Sequence, residues 1–324
     1  MSNIYDYAGN PLLEDIVTPE MYGAKGDGIT DDTLAIKQAL SGGSKTVGFS
    51  NKTYYVHGSC NIYSKTHIIG NGARITTDRC PFIIGESGDY AYGYQGSNNV
   101  LIEGLYVDLN GLGTDHIIMA HAQNITIKDC VFYNNAEHSI ELNSSKNVVI
   151  ENCVFKSIAP SVTNKEAINI DPAATGYTIS MGYFDNTISD GVRITNCFFD
   201  NCWAAFGNHG TTEYASKNII FTNNDVRNCY KGVHMHSYEN VIVQDNIFYD
   251  ISDVVVRMKE TKNVHVSGNI FSTDKEFVSV EGTAVNAFIV NNIGASEADA
   301  PITVSSSAER ITVAQNIIND ELVE

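Results

Sequence analysis

Between Asn124 and Asn292 a short phrase of alternating apolar and polar residues keeps returning. It reads Asn124-Ile-Thr-Ile-Lys-Asp-Cys-Val-Phe, Asn147-Val-Val-Ile-Glu-Asn-Cys-Val-Phe and Gly191-Val-Arg-Ile-Thr-Asn-Cys-Phe-Phe. It continues as Asn218-Ile-Ile-Phe-Thr-Asn-Asn-Asp-Val, Asn240-Val-Ile-Val-Gln-Asp-Asn-Ile-Phe and Asn263-Val-His-Val-Ser-Gly-Asn-Ile-Phe, with weaker copies from Ala287 and Arg310. Each copy is rich in Val, Ile and Phe, alternates with period two and is broken by Asn, Asp or Gly. That is the chemistry of a strand and a turn, not of a helical face.

Aligned on the turn residue, the copies fall at Asp129, Asn152, Asn196, Asn223, Asp245, Gly268, Asn291 and Gln315. The clean steps are 22 to 24 residues, and the step of 44 from Asn152 to Asn196 is two periods or one coil with an insertion. A fixed period of this size predicts a solenoid. Asn, Asp and Gly dominate the turn because they tolerate a left-handed backbone at least cost. The next position reads Cys130, Cys153, Cys197, Asn224, Asn246, Asn269, Asn292, Asn316. In a stack this predicts a buried cysteine column running into an asparagine ladder. The expected fold is therefore all-β, a right-handed parallel β-helix with coils about 4.8 Å apart.

The ends and interruptions refine that picture. Residues 1–17 read as a leader or attachment segment, and residues 18–324 as one β-helix domain. Thr30 is the expected N-cap of a helix over residues 30–40, with Leu34, Ile36, Ala39 and Leu40 apolar and Gly42-Gly43 ending it. Such a helix would cap the open end of the solenoid. Asp27, Asp31 and Asp32 beside it are read as turn and capping chemistry in preference to a calcium site. Two stretches interrupt the repeat: residues 88–96, carrying Tyr90, Tyr92 and Tyr94, and residues 172–189, carrying Tyr177, Met181, Tyr183 and Phe184. Long excursions from a regular scaffold are frequent carriers of function.

Composition narrows the partners. A formal net charge of −18 argues against a nucleic-acid backbone, though a local basic groove could still hold an acidic polysaccharide. Seven cysteines, three on one repeat position, fit buried thiols better than disulfides. The opening Met1-Ser-Asn-Ile-Tyr-Asp-Tyr has neither a basic region nor an apolar run, so no signal peptide and no membrane insertion are expected. The expectation is cytoplasmic synthesis, with release by lysis, on a virion or by another non-classical route.

Candidate chemistry comes from the strand after each turn, separated into inward and outward residues. The outward set is Glu141 and Asn143, then Asn169 and Asp171, Gly207 and His209, His234 and His236, Arg257 and Lys259, Ser279 and Glu281. An ordinary polar face of a β-helix would be a mixture of Ser, Thr, Asn and Lys. Here carboxylates, then histidines, then paired cations stack within a few coils, as general acid–base chemistry needs. No three carboxylates fall together on the column, so no metal or other cofactor is expected.

The phrase Met21-Tyr-Gly-Ala-Lys-Gly-Asp-Gly-Ile-Thr-Asp-Asp-Thr-Leu-Ala-Ile resembles the opening of pectate-lyase-like superfamily proteins, including phage tailspike depolymerases and polygalacturonase relatives. The column resembles polygalacturonases in part: Asn169-Ile-Asp171, loosely Gly207-Asn-His209-Gly210, and Arg257-Met-Lys259. The resemblance implies Asp171 as proton donor, His209 in support, and Arg257 and Lys259 binding a sugar acid. The paired Asp of that family is missing; Glu141, or Asp190 off the column, would be the second carboxylate. Three functions follow: a glycoside hydrolase on a bacterial surface or other acidic polysaccharide, with His234 and His236 orienting groups or relaying protons; a lyase using His234, His236 or Tyr238 as base; and a non-catalytic spike gripping sugar through Tyr side chains, Trp203 and the histidines. The resemblance also implies a homotrimer on a phage tail.

Overall fold

The computed structural model describes residues 16–85, 91–157, 164–174, 182–208 and 216–323. They wind into a right-handed parallel β-solenoid of about 12 turns. Each coil visits three sheets in the same order. The first sheet has 11 strands, the second 13 and the third 10, and each strand pairs with the equivalent strand of the next coil. Pairing is parallel throughout except for the last hairpin, where Glu321–Val323 folds back on Asn316–Ile318. The expected leader over residues 1–15 lies outside the described residues.

The turn from the first to the second sheet is made by one residue. Asp129, Asn152, Asn196, Asn223, Asp245, Gly268, Asn291 and Gln315 all have φ between 54° and 66°, the left-handed region that selects Asn, Asp and Gly. The following residue is buried in every coil. From Asn224 onward it forms the expected ladder: Nδ2 of Asn224, Asn246, Asn269 and Asn292 donates to the Oδ1 above at 2.9–3.1 Å. Each Oδ1 also accepts the backbone N–H of the coil below, as Asn269 Oδ1 does from Asn246 at 3.0 Å. The buried amides thus satisfy the polar groups that a tight turn would otherwise strand. A second ladder, on the surface, joins Asn99, Asn124 and Asn147, then Asn218, Asn240, Asn263 and Asn286. The seven cysteines are free and buried.

Inward residues form one core along the axis. Phe132, Phe155, Phe199, Phe221 and Phe248 stack with centroids 4.8–6.3 Å apart, close to the coil spacing. The N-terminal end is covered by helix Thr33–Leu40, shorter than expected and with Asp32, not Thr30, at the N-cap position. Ala35, Ile36, Ala39 and Leu40 face the core, whereas Leu34 is 69% exposed and belongs to the outer side. The Asp32 carboxylate accepts the backbone N–H groups of Lys25 and Gly26, and Asp27 accepts those of Ile29 and Thr30. Outside, on the second sheet, Ile247, Ile270, Ile293 and Ile317 occupy one register on successive coils and are 40–56% exposed.

Replacing Asn269 by Ala would strip partners from Asn246, Asn292 and the Val243 carbonyl. The expected loss is about 2–4 kcal/mol in denaturant unfolding, several unmet buried bonds at about 1–3 each with partial relaxation. Asn263→Gly, on the exposed ladder and compatible with a left-handed backbone, should cost less than about 1 kcal/mol.

Candidate functional site

The third sheet carries the polar column in the expected register. Glu141 pairs with Asn169 and Asn143 with Asp171, Asn169 with Gly207, Gly207 with His234, His234 with Arg257 and His236 with Lys259, and Lys259 with Glu281. Gly207 leaves room between the carboxylates and the histidines, since a Cβ there would collide with the His234 carbonyl. His209 lies outside the described residues.

Several of these outward positions are closed to water, while Glu141, Arg257, Lys259 and Glu281 stay partly exposed. Asn143, Asn169, Asp171, His234 and His236 are all buried. The excursion that leaves directly after Asp171 is closed by Ala173 and Thr187, which bond at 2.8 Å, and returns so that Ser189 Oγ donates to the Asp171 carbonyl. It is also knitted to the stretch around Tyr92. Tyr92 and Tyr183 stack at 4.1 Å, Gly93 N–H donates to Asp185, and His121 bridges the carbonyls of Gly93 and Tyr183. Tyr90, Tyr177 and Met181 lie outside the described residues.

At the head of the column one amide joins two carboxylates. Asn169 Nδ2 donates to Glu141 Oε2 at 3.0 Å and to Asp171 Oδ2 at 2.8 Å. With the two N–H bonds of an amide splayed, those oxygens stand roughly 5 Å apart. Asn143 Nδ2 donates to Glu141 Oε1 at 2.9 Å. The Oδ1 atoms of Asn143 and Asn169 are buried and accept no hydrogen bond among the described residues.

Beside this pair lies a group that simple alternation hides. Asp115, His138 and Glu166 each stand two positions before an inward residue, Ile117, Ile140 and Ile168, so strand parity points them inward. Asp115 and His138 lie in the corner before the strand and Glu166 at the strand's first residue, and there they turn to the site instead. Glu166 is fully buried; its Oε1 takes the Nδ1–H of His234 at 3.0 Å, and its backbone carbonyl accepts from His138 Nδ1 at 2.8 Å. The 23-residue step from Asp115 to His138 is the repeat period itself, and that was the available signal. Asp115 has its Oδ1 fully covered, and burial pushes its carboxyl up to about 7, with His138 opposing. Burial lowers His234 and His236, against Glu166 in the first case and assisted by Lys259 in the second.

Several expected roles change. Tyr238 is a core residue: it stacks over Phe206 and donates its hydroxyl to the Ile170 carbonyl, so it has no access to a substrate. The corner at Ser237, with φ of 56°, is what turns it inward. Asp190 lies off the column, as its register predicted: it begins a strand of the first sheet, paired with Lys146 and Lys217, and accepts from Asn218 at 2.6 Å, which removes it as a second carboxylate. Arg257 lies on the column, but its Nε and Nη2 are bound bidentate to Glu281 at 2.8 and 2.7 Å. Its Nη1 faces His234 Nε2; arginine only donates, so that nitrogen accepts and Nδ1 carries the His234 proton. Lys231 is paired with Asp253. Lys259 is the one cation of the column without an ion-pair partner among the described residues. Trp203 is buried edge-on to His234 at 4.8 Å and can bound the site only from behind.

Residues 19–256, well over half the chain, match the profile of a family described as rhamnogalacturonase A/epimerase, pectate lyase-like. The chain belongs to this family. Among its relatives is the plasmin and fibronectin-binding protein A of Streptococcus pneumoniae, 26% identical over 360 aligned residues, covering 94% of this chain and 50% of that one. The pre-neck appendage protein of Bacillus phage phi29 is 23% identical, covering 84% of this chain and 33% of that one. The chain thus spans half or less of the length of these relatives. In structure it is similar to the pneumococcal adhesin PfbA, with a TM-score of 0.78, 21% identity, and coverage of 94% of this chain and 90% of that one. The tailspike of E. coli bacteriophage HK620, solved as a mutant with a pentasaccharide, gives a TM-score of 0.65 at 15% identity over 99% of this chain and 62% of the other. At these identities the structural likeness shows the fold.

The raised Asp115 carboxyl carries a sign. The folded state holds its proton up to about 7 against an ordinary 3.8, so its ionisation costs stability as pH rises through that window. Asp115→Asn should therefore raise Tm by about 2 °C or more at pH 8, shrinking toward zero near pH 4, in paired thermal melts.

Proposed function

We propose that this protein is a polysaccharide depolymerase acting as a glycoside hydrolase, with Asp171 as general acid and Glu141 as second carboxylate. The observation that carries this is the Glu141–Asn169–Asp171 bridge, with Asn169 and Asp171 buried and Glu141 partly so. A separation of roughly 5 Å matches the spacing of about 5–5.5 Å used by retaining enzymes. β-Elimination needs a cation to neutralise a sugar carboxylate; Arg257 is already bound to Glu281, which leaves Lys259 as the column cation for that role. Asp171→Asn and Glu141→Gln should each cut the release of reducing ends by about 100-fold or more, without an ultraviolet signal of unsaturated uronic acid in the wild type. Appearance of that signal would move the chemistry to the histidine coils.

The likeness to PfbA, called a surface adhesin, favours one second reading, a binding spike without catalysis. In that case no reducing ends appear on any glycan, while glycan binding survives both substitutions. The phage relatives support a place on a virion, and the isoleucine column supports self-association of parallel copies. That column repeats one apolar residue at the coil spacing, which a like column matches, and it leaves the third sheet facing outward. Ile270→Lys with Ile293→Lys should shift sedimentation from a trimer to a monomer if this face joins the copies; a wild-type monomer sinks that assembly.

A further inference from the structure

His138 has no role in the chemistry above, yet it is buried against the pair that performs it. Its Nδ1 lies 2.8 Å from the Glu166 carbonyl. A carbonyl only accepts, so Nδ1 keeps its hydrogen and the titrating proton is confined to Nε2. Nε2 faces Glu141 Oε2 at 3.7 Å, ion-pair range but longer than a hydrogen bond. The groups around the ring come from three coils. Asp115 stands on the coil before; Glu141 and the Glu137–Lys165 pair stand beside it; Glu166 Oε2 stands at 3.8 Å on the coil after. Beyond Glu166, His234 presents its Nδ1–H to Oε1 and passes the chain on to Arg257 and Glu281.

We propose that His138 is the positioning residue of the Glu141–Asp171 pair. Its imidazolium, aimed by the Glu166 carbonyl, holds the Glu141 carboxylate in working position; loss of the Nε2 proton to solvent releases it. The inference rests on the hydrolytic reading of the site. Burial opposes a charge on His138, but Glu141, Glu166 and Asp115 together outweigh burial and raise it above 6.5. Below that raised value the contact with Glu141 is attractive. Above it a lone pair faces a carboxylate oxygen, and the locked Nδ1–H leaves the ring no tautomer that could donate to Glu141. The rate should therefore fall on the alkaline side as His138 loses its proton.

Two measurements on the full chain test this. The first follows the ring-carbon resonances of histidine-labelled protein against pH, with His138 assigned by its loss in His138→Gln. The His138 midpoint should lie above 6.5 and drop by about one pH unit in Glu141→Gln; a shift below about 0.2 overturns the proposal. The second is the pH profile of glycan cleavage. His138→Gln keeps an amide donor but cannot titrate, so KM should stay within about twofold, kcat fall about tenfold, and the alkaline fall-off disappear. An unchanged alkaline limb overturns the proposal. The two readouts separate the possible failures. A coupled His138 in a wild type that cuts no glycan indicts the hydrolytic reading and this one with it; an active enzyme with an uncoupled His138 indicts this one alone.

Discussion

The structure depends on one repeated constraint: each coil must turn on a single residue and land in register on the coil below. A left-handed residue makes that turn, and it exposes backbone groups to an interior that has no water. The buried side chain that follows settles the account. In the later coils an Asn amide bonds upward and downward along the axis; in the earlier ones a cysteine fills the same place. Parallel pairing then repeats without slippage, because a shift of one residue would turn every inward Phe, Ile and Val to solvent.

Register is also what makes a site possible. Strand pairing brings Glu141, Asn169, Gly207, His234 and Arg257 into one line from positions spread over more than a hundred residues. On a bare solenoid such a line would be a wet surface, where carboxylates and histidines behave ordinarily. Here Asn143, Asn169, Asp171, His234 and His236 of that line are buried. Burial then separates the groups by environment. Asp115 holds its proton toward neutrality, His234 loses its own more readily, and His138 among three carboxylates keeps it. Titratable groups pushed apart in this way are the raw material of acid–base chemistry.

The same column shows why membership of the family leaves the reaction open. The Asn169-Ile-Asp171 and Arg257-Met-Lys259 phrases are present, but their surroundings differ in effect. Arg257 is closed off by Glu281, and the carboxylate that Asn169 joins to Asp171 is Glu141 of a neighbouring coil. A fold of this kind hosts different chemistries through such local exchanges.

The sequence by itself determined the solenoid, the turn residues, the asparagine ladder and the outward register of Glu141, Asn169, Asp171, His234 and Arg257. All of these follow from local alternation and a fixed period, which residues express within their own coil. Only the tertiary structure decided which outward residues are buried, that Tyr238 turns into the core after Ser237, and that Asp115, His138 and Glu166 swing into the site where the strand begins. Those outcomes depend on where the chain bends and on what covers it. Neither is encoded in the parity of a strand, because a corner breaks the alternation and burial depends on contacts between separate coils.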